Sequence, residues 1–408
     1  MRSDPSPAPW RTVGRGSSDS SRLLGQWPPA VRSTRIRSFV HYGGRCHLSA
    51  TTRTGGLLDG LKVIDLSLWQ PGHVATQLLA DLGADVLKAE PPGGDRMRPQ
   101  GDRYLNWNGH KRSAVFDLKN PDDRARLLSH VAEAEVVVEG FRPGVADRLG
   151  VGFDALRAAN PSIVLCSLTG FGQFGPLSNV AGHDYNYQAY AGAFTFREGE
   201  QPAHAGMLVG DMGSGMAAAF AILAAVLCAR RTGEGEHIDL AITDLLAAWV
   251  LPTGPIDGRD GTTAAAEHLP GLGCYRTRDD KWVELGVYSE DVLWGLMCTG
   301  LGLEHIAALD MSARAAQAVH LCAELTAAIG SRDRADLIAV MLPLGVPMAP
   351  ILTRDEMLAH PHFWERGVLQ HDDSGRLRAG HPIRYGEHPA LAPGDAPTLD
   401  QHRSGGFG

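Results

Sequence analysis

Two side chains of this sequence raise a chemical question. His183 lies in VAGHDYNYQAYAGAF, just past a glycine-rich turn, and Asp211 lies between glycines in LVGDMGSGMAAAF, at the head of an apolar run. An imidazole and a carboxylate are side chains able to move protons between carbon and solvent near neutral pH. Small residues beside the acid admit a ligand close to the backbone, and free N–H groups at a helix start can hold an anion or an enolate oxygen. Each residue also has a structural reading: Asp211 as a helix N-cap, His183 as a satisfied histidine in a packed fold. Residue type alone leaves both open.

Several other chemistries lack their residues. The turn after the first strand, SLWQPGHVAT, carries a single glycine, so no dinucleotide fingerprint is present. Walker A, His-Glu-x-x-His and Gly-x-Ser-x-Gly patterns are also missing from the sequence. The cysteines at 46, 166, 228, 274, 298 and 322 include no Cys-x-x-Cys pair, which argues against zinc sites, redox dithiols and a disulfide framework. Their scatter fits a reducing, cytoplasmic setting. A net charge of −8 gives no footprint for nucleic acid. The most apolar stretch, MAAAFAILAAVLCA at 216–229, is shorter than the roughly 20 residues of a membrane span and reads as a buried helix, so no membrane partner is expected.

Positioning these groups falls to a series of alternating elements. LKVIDLS reads as a strand, QPGHVATQLLADLGA as turn and helix, and DVLKAEPP as a second strand. SAVFDL, EVVVEGF and PSIVLCSLTGF continue as strands. The helix NPDDRARLLSHVAEA opens with Asn120 as cap, Pro121 at its first position and acids in its first turn. The alternation predicts an α/β fold with a Rossmann-like, mostly parallel sheet covered on both faces, and a smaller α+β domain beyond it. The boundaries read as 1–55, an Arg/Ser/Pro-rich N-terminal extension; 56–250, the first part of the large domain; 251–343, the small domain; and 344–408, a return segment with an irregular tail. Residues 1–55 have the composition of a disordered segment, which a transit peptide or an upstream start codon would share.

Six segments occur in one order: GLKVIDLSLWQPGHVATQLLADLGADVLKAEPPGGD, NGHKRSAVFDLKNPDDR, VVVEGFRPGVADRLGVG, SLTGFGQFGPLSNVAGHDYNYQA, VGDMGSGM and RRTGEGEHIDLAITD. From about residue 56 to about 402 the chain resembles the family III CoA-transferase and α-methylacyl-CoA racemase superfamily. The resemblance implies an interlocked homodimer acting on acyl-CoA, with coenzyme A entering as part of the substrate and no other cofactor. It implies that Asp211 reacts, as an acyl-carrying nucleophile in the transferases or as a proton-transfer base in the racemases. A Gly-His-Asp like that at 182–184 is similar to the racemase branch, so His183 is expected as the second base. The expected reaction is inversion at C2 of a 2-methyl-branched acyl-CoA. The rivals are CoA transfer through Asp211 and a silent CoA-binding member.

The resemblance also implies an acid against His183. Aligned with one inserted residue, ELGVYSEDVLW places Glu290 there, where it reads equally as a first-turn helix acid. Lys88, Lys111, Arg112 and Arg142 are the expected partners of the CoA phosphates. Backbone donors near Met212 and Gly213 are the expected holders of the enolate oxygen.

Overall fold

The computed structural model describes residues 55–195, 199–253, 269–403 and 406–408. The N-terminal extension up to residue 54, and most of the glycine- and alanine-rich linker after residue 253, lie outside them.

Six parallel strands form the main sheet: β1 (Lys62–Asp65), β2 (Asp85–Glu90), β3 (Arg112–Val115), β4 (Val136–Glu139), β5 (Val164–Thr169) and β6 (His237–Ala241). Their spatial order is β3-β2-β1-β4-β5-β6. The chain builds outward from β1 to β3, then crosses to β1's other side to continue with β4. That reversal opens a crevice beyond the carboxyl ends of β1 and β4, where doubly wound sheets hold their ligands.

The strands are apolar on both sides because both sides are covered. Val63, Val136, Val138 and Val164 face one core, shared with α1 (Gln70–Asp81) and a long central helix. Ile64, Leu87, Val137 and Leu165 face the other, with α3 (Pro121–Val131) and α5 (Phe153–Ala159). Between these lie the short helices α2 (Asp102–Asn106) and α4 (Val145–Arg148). The start of α3 follows its sequence signal: the Asn120 side chain accepts from the Asp122 N–H at 2.8 Å, with Pro121 in the first turn.

After β5 come α6 (Asp184–Tyr190) and the central helix α7 (Val209–Thr232), then β6 and α8 (Ile242–Val250). At 24 residues α7 is longer than its apolar run suggested, and by length and composition it is long enough to cross a membrane. Here Ala218, Ile222 and Val226 are buried in the sheet core instead. The helix stops at Gly233, whose φ of 78° supplies the left-handed turn that a side chain would resist.

A second body has its own core. β7 (Leu272–Arg276), β8 (Trp282–Gly286) and β9 (Met348–Pro350) pair antiparallel, backed by helices Asp291–Leu301, Ala318–Gly330 and Arg334–Met341. Trp294, Met297, Leu321, Leu337 and Met341 fill it, and the Trp294 indole donates to the Ile306 carbonyl at 2.8 Å. The chain then returns to the main sheet, where the His402 N–H donates to the Ser113 carbonyl at 2.8 Å on edge strand β3. Within the segment expected as coil, Leu369–His371 and Leu377–Ala379 form a hairpin. Asp372 makes its turn by accepting from the backbone of Ser374 and Arg376.

Candidate functional site

The starts of α6 and α7 are tied together by one hydrogen bond. The backbone N–H of Asp211, in the first turn of α7, donates to Asp184 Oδ2 at 2.6 Å. Asp184 is buried, and its other oxygen accepts from Gln188 Nε2 one turn along α6. His183 is the residue immediately before α6, held there by its own N–H to Asn186 Oδ1 at 3.0 Å. The bond therefore sets His183 and Asp211 at two neighbouring helix starts. The imidazole is edge-on to the Trp69 indole, with ring centroids 6.3 Å apart.

Asp211 is only half exposed, and its carboxyl is pushed up to about 7, first by burial and then by the like charge of Asp184. The Arg103 guanidinium opposes that rise. A carboxyl poised there is populated in both protonation states at neutral pH, as proton transfer requires. Leu208, not Asp211, occupies the cap position of α7. The N-cap reading of Asp211 is thus set aside.

Gln70, at the start of α1, approaches the same place. Its Nε2 lies 3.4 Å from Met212 Sδ, and its Oε1 accepts from Arg103 Nη2. A thioether is a weak acceptor, so this amide keeps donor capacity beside the acid. Of the backbone donors expected near Met212 and Gly213, the Met212 N–H bonds the Leu208 carbonyl at 3.0 Å, and the neighbouring Asp211 N–H bonds Asp184.

The glycines around Asp211 serve packing, not ligand approach. A Cβ on Gly213 would stand 2.4 Å from the Trp249 ring, and one on Gly215 would stand 2.6 Å from Val74 Cβ. Helices α7, α8 and α1 meet at these positions. The sequence signal for a small residue was sound, but protein fills the space.

The basic residues divide. Lys88 and Lys111 are buried, and their ammonium groups face carboxylates inside the fold. Lys88 Nζ lies 2.8 Å from Asp95, and Lys111 Nζ lies 3.1 Å from Asp65, 2.7 Å from Thr76 Oγ1 and 3.0 Å from Asn108 Oδ1. His73 completes the cluster at 2.8 Å from Asp95. Burial and the nearby lysines lower His73 to about 4, and burial lowers Lys111 to about 8 against the pull of Asp65. As arranged here, both ammonium groups are taken up by partners inside the fold, at positions where contacts to the CoA phosphates were expected. Arg112 opens edge strand β3 beside Gly408, at the end of the strand away from the crevice.

Arg142 does lie on the crevice side, exposed just after β4. A cavity of about 140 Å³ opens beside it, lined by Leu66, Leu68, Pro91, Phe116, Lys119 and Phe141 among others, at the carboxyl ends of β1 to β4. Its walls are mainly apolar and aromatic, with Lys119 supplying a cation and Asp117 a carboxylate. Lys119 was missed in sequence, although VFDLKN placed it just beyond a strand end.

Glu290 lies in the second body, in the cap position of the helix Asp291–Leu301, with its carboxylate accepting from the Tyr288 N–H at 3.0 Å. Among the described residues no hydrogen bond or ion pair joins it to His183 within the chain.

The CoA-transferase family III model matches residues 58–403. The chain belongs to CoA-transferase family III. It is 32% identical over 378 residues to a succinate–glutarate CoA-transferase of Agrobacterium fabrum, covering 85% of this chain and 94% of that protein. It is 30% identical over 330 residues to the human α-methylacyl-CoA racemase, covering 76% of this chain and 81% of that one. A solved CAIB/BAIF family protein from Brucella suis superposes with a TM-score of 0.74 at 31% identity, covering 85% of this chain and 97% of that chain. Relatives within family III thus carry names of both transfer and racemisation, and membership alone leaves the reaction open.

Proposed function

We propose that this family III protein epimerises C2 of a 2-methyl-branched acyl-CoA by proton transfer between Asp211 and His183. The observation that carries this reading is the placement of an imidazole and a carboxyl pushed up to about 7 at helix starts joined by the 2.6 Å Asp184–Asp211 bond. Inversion requires a proton to leave one face of C2 and another to arrive on the opposite face. The C2–H electron pair becomes the enolate π bond as one group accepts the proton, and the other group then donates to C2. One acceptor and one donor on opposite faces of C2 let the reaction run in both directions. Gln70 Nε2 is the donor assigned to the enolate oxygen.

The CoA portion is assigned to the crevice. Its adenine suits the apolar cavity of Phe116 and Phe141, and its phosphates suit Lys119 and Arg142. A paired-chain assembly would cover the outward side of α7, where Met216, Phe220 and Leu227 stand 53%, 76% and 69% exposed. Within one chain Glu290 stands outside the reacting set.

A second reading, CoA transfer between carboxylic acids with Asp211 as nucleophile, is favoured by the relatives named as transferases. Incubation with (2R)-2-methylacyl-CoA in D2O, with and without a free carboxylic acid, separates the two. Deuterium at C2 with loss of chirality, independent of the acid, supports epimerisation. A new acyl-CoA formed from the added acid, without exchange, replaces it by transfer.

A further inference from the structure

We infer that Arg103 selects an acyl group whose far end carries a second carboxylate; this rests on Asp211 being the reacting group. Arg103 lies in the first turn of α2 and is exposed at the mouth of the site. Its guanidinium is held by two neutral amide oxygens: Gln70 Oε1, and Gln100 Oε1 at 3.4 Å. Among the described residues, no carboxylate lies within 4.0 Å of it. Arg98, five residues earlier in the chain, is instead paired with Glu90. Arg103 is therefore positioned without being neutralised, an arrangement that leaves its planar fork free for a carboxylate.

Its holder ties it to the chemistry. Gln70 touches Arg103 through Oε1 and Met212, next to Asp211, through Nε2. One side chain thus separates the guanidinium from the residue beside the reacting acid. A second arginine, Arg96, stands over the Trp69 indole at 5.9 Å, and Trp69 in turn meets His183. Two arginines, Arg103 and Arg96, thus stand on the side chains that adjoin Asp211 and His183, although the chain as a whole is acidic. An acyl chain anchored by its thioester near Asp211 and ending in an anion fits this arrangement. The matching class is the CoA monothioester of a short 2-methyl-branched dicarboxylic acid. Pairing with Arg103 would also relieve the pull of that cation on Asp211, leaving the acid a stronger base when the matching substrate is bound.

The test compares 2-methylpentanoyl-CoA with 2-methylglutaryl-CoA thioesterified at C1. Their acyl groups match in backbone length but end in a methyl and a carboxylate respectively. kcat and KM for deuterium incorporation at C2 are measured for the wild type, Arg103→Gln and Arg103→Lys. The wild type is expected to favour the carboxylated thioester by roughly tenfold to a hundredfold in kcat/KM, the range of a charge-assisted hydrogen bond. Arg103→Gln is expected to bring that ratio toward one, and Arg103→Lys to restore part of it. A wild-type ratio near one overturns the inference. So does an equal weakening by Arg103→Gln of free CoA binding, which would make Arg103 a phosphate anchor. If neither thioester exchanges, the proton-transfer reading fails by itself. The inference is then read from CoA transfer to glutarate against pentanoate, where a preference for glutarate that Arg103→Gln removes sustains it. No preference there, or no turnover at all, overturns it.

Discussion

Asparagine at position 184 separates the charge of Asp184 from its role in holding the two helix starts together. The variant keeps a carbonyl oxygen for the Asp211 N–H, now bound at 2.6 Å. Its new amide group would face Gln188, whose Oε1 is buried without a partner and can turn to accept. Packing is thus conserved while one negative charge leaves. Asp211 stands at about 7 against an ordinary 3.8, with burial the larger cause and Asp184 the next. Removing the smaller cause should lower Asp211 by roughly one pH unit, a tenfold change in its ionised fraction. The assay is the pH dependence of kcat/KM for deuterium incorporation, measured from each C2 enantiomer separately. The enantiomer whose proton faces Asp211 needs the ionised carboxylate, so its rate rises with pH through about 7 in the wild type. In Asp184→Asn that rise should sit about one unit lower. Arg103→Gln should move it the opposite way, because the guanidinium favours the ionised form. A limb that stays in place or moves up in Asp184→Asn would refute the electrostatic account of Asp211.

Other positions give independent checks. Lys111→Met should cost up to about 3–5 kcal/mol in urea unfolding, because it removes the nearer of the two buried ammonium groups that face Asp65 and leaves only Lys88, 3.7 Å away; a phosphate-binding lysine would instead change CoA affinity with an unchanged midpoint. Lys119→Ala should weaken CoA by roughly tenfold in calorimetric titration, the scale of a hydrogen bond to a charged group, with the unfolding midpoint held. Glu139, buried at the end of β4, is pushed up to about 7 by burial from an ordinary 4.5, so the folded state keeps a proton that the unfolded state releases. Stability from this group is present below about 4.5 and is lost as pH rises through about 7, by roughly 3 kcal/mol at most. Glu139→Gln should flatten that loss when unfolding is compared at acid and alkaline pH. Gly215→Val should destabilise by about 1–3 kcal/mol or more, since its Cβ would stand 2.6 Å from Val74 Cβ and 2.8 Å from the Pro71 carbonyl.

The sequence was informative where local chemistry decides structure. Asn120-Pro121 marks a helix start because one side chain and one ring satisfy it, and alternating strand and helix segments imply a parallel sheet whatever lies around them. It was silent where burial decides. Lys88 in DVLKAE and Lys119 in VFDLKN are both lysines near strand ends, yet one is sealed against Asp95 and the other lines an open cavity. No local pattern separates them, since the partners come from residues distant in sequence. The glycines at 213 and 215 misled for the same reason: Trp249 and Val74 close on them from α8 and α1. Gln70 and Arg103 carried no signal of their own and became visible only when α1 and α2 met the start of α7.

In a family with both transferases and racemases, the electrostatics of Asp211 bear on which reaction it serves. A carboxyl used as a nucleophile works best when fully ionised, whereas one that must give and take a proton works best near the pH of its medium. Burial and Asp184 push Asp211 up to about 7, which favours the proposed proton transfer, and Arg103 pulls it toward ionisation. A substrate carboxylate that neutralises Arg103 would push the balance further toward proton transfer. An uncharged acyl group would leave Arg103 free and the acid closer to a nucleophile. The charge at the far end of the acyl chain would then bias how Asp211 reacts as well as which molecule binds. Measured with and without a terminal carboxylate on the same acyl skeleton, the ratio of C2 exchange to CoA transfer should rise when the carboxylate is present. A ratio independent of that group would separate substrate recognition from the choice of reaction.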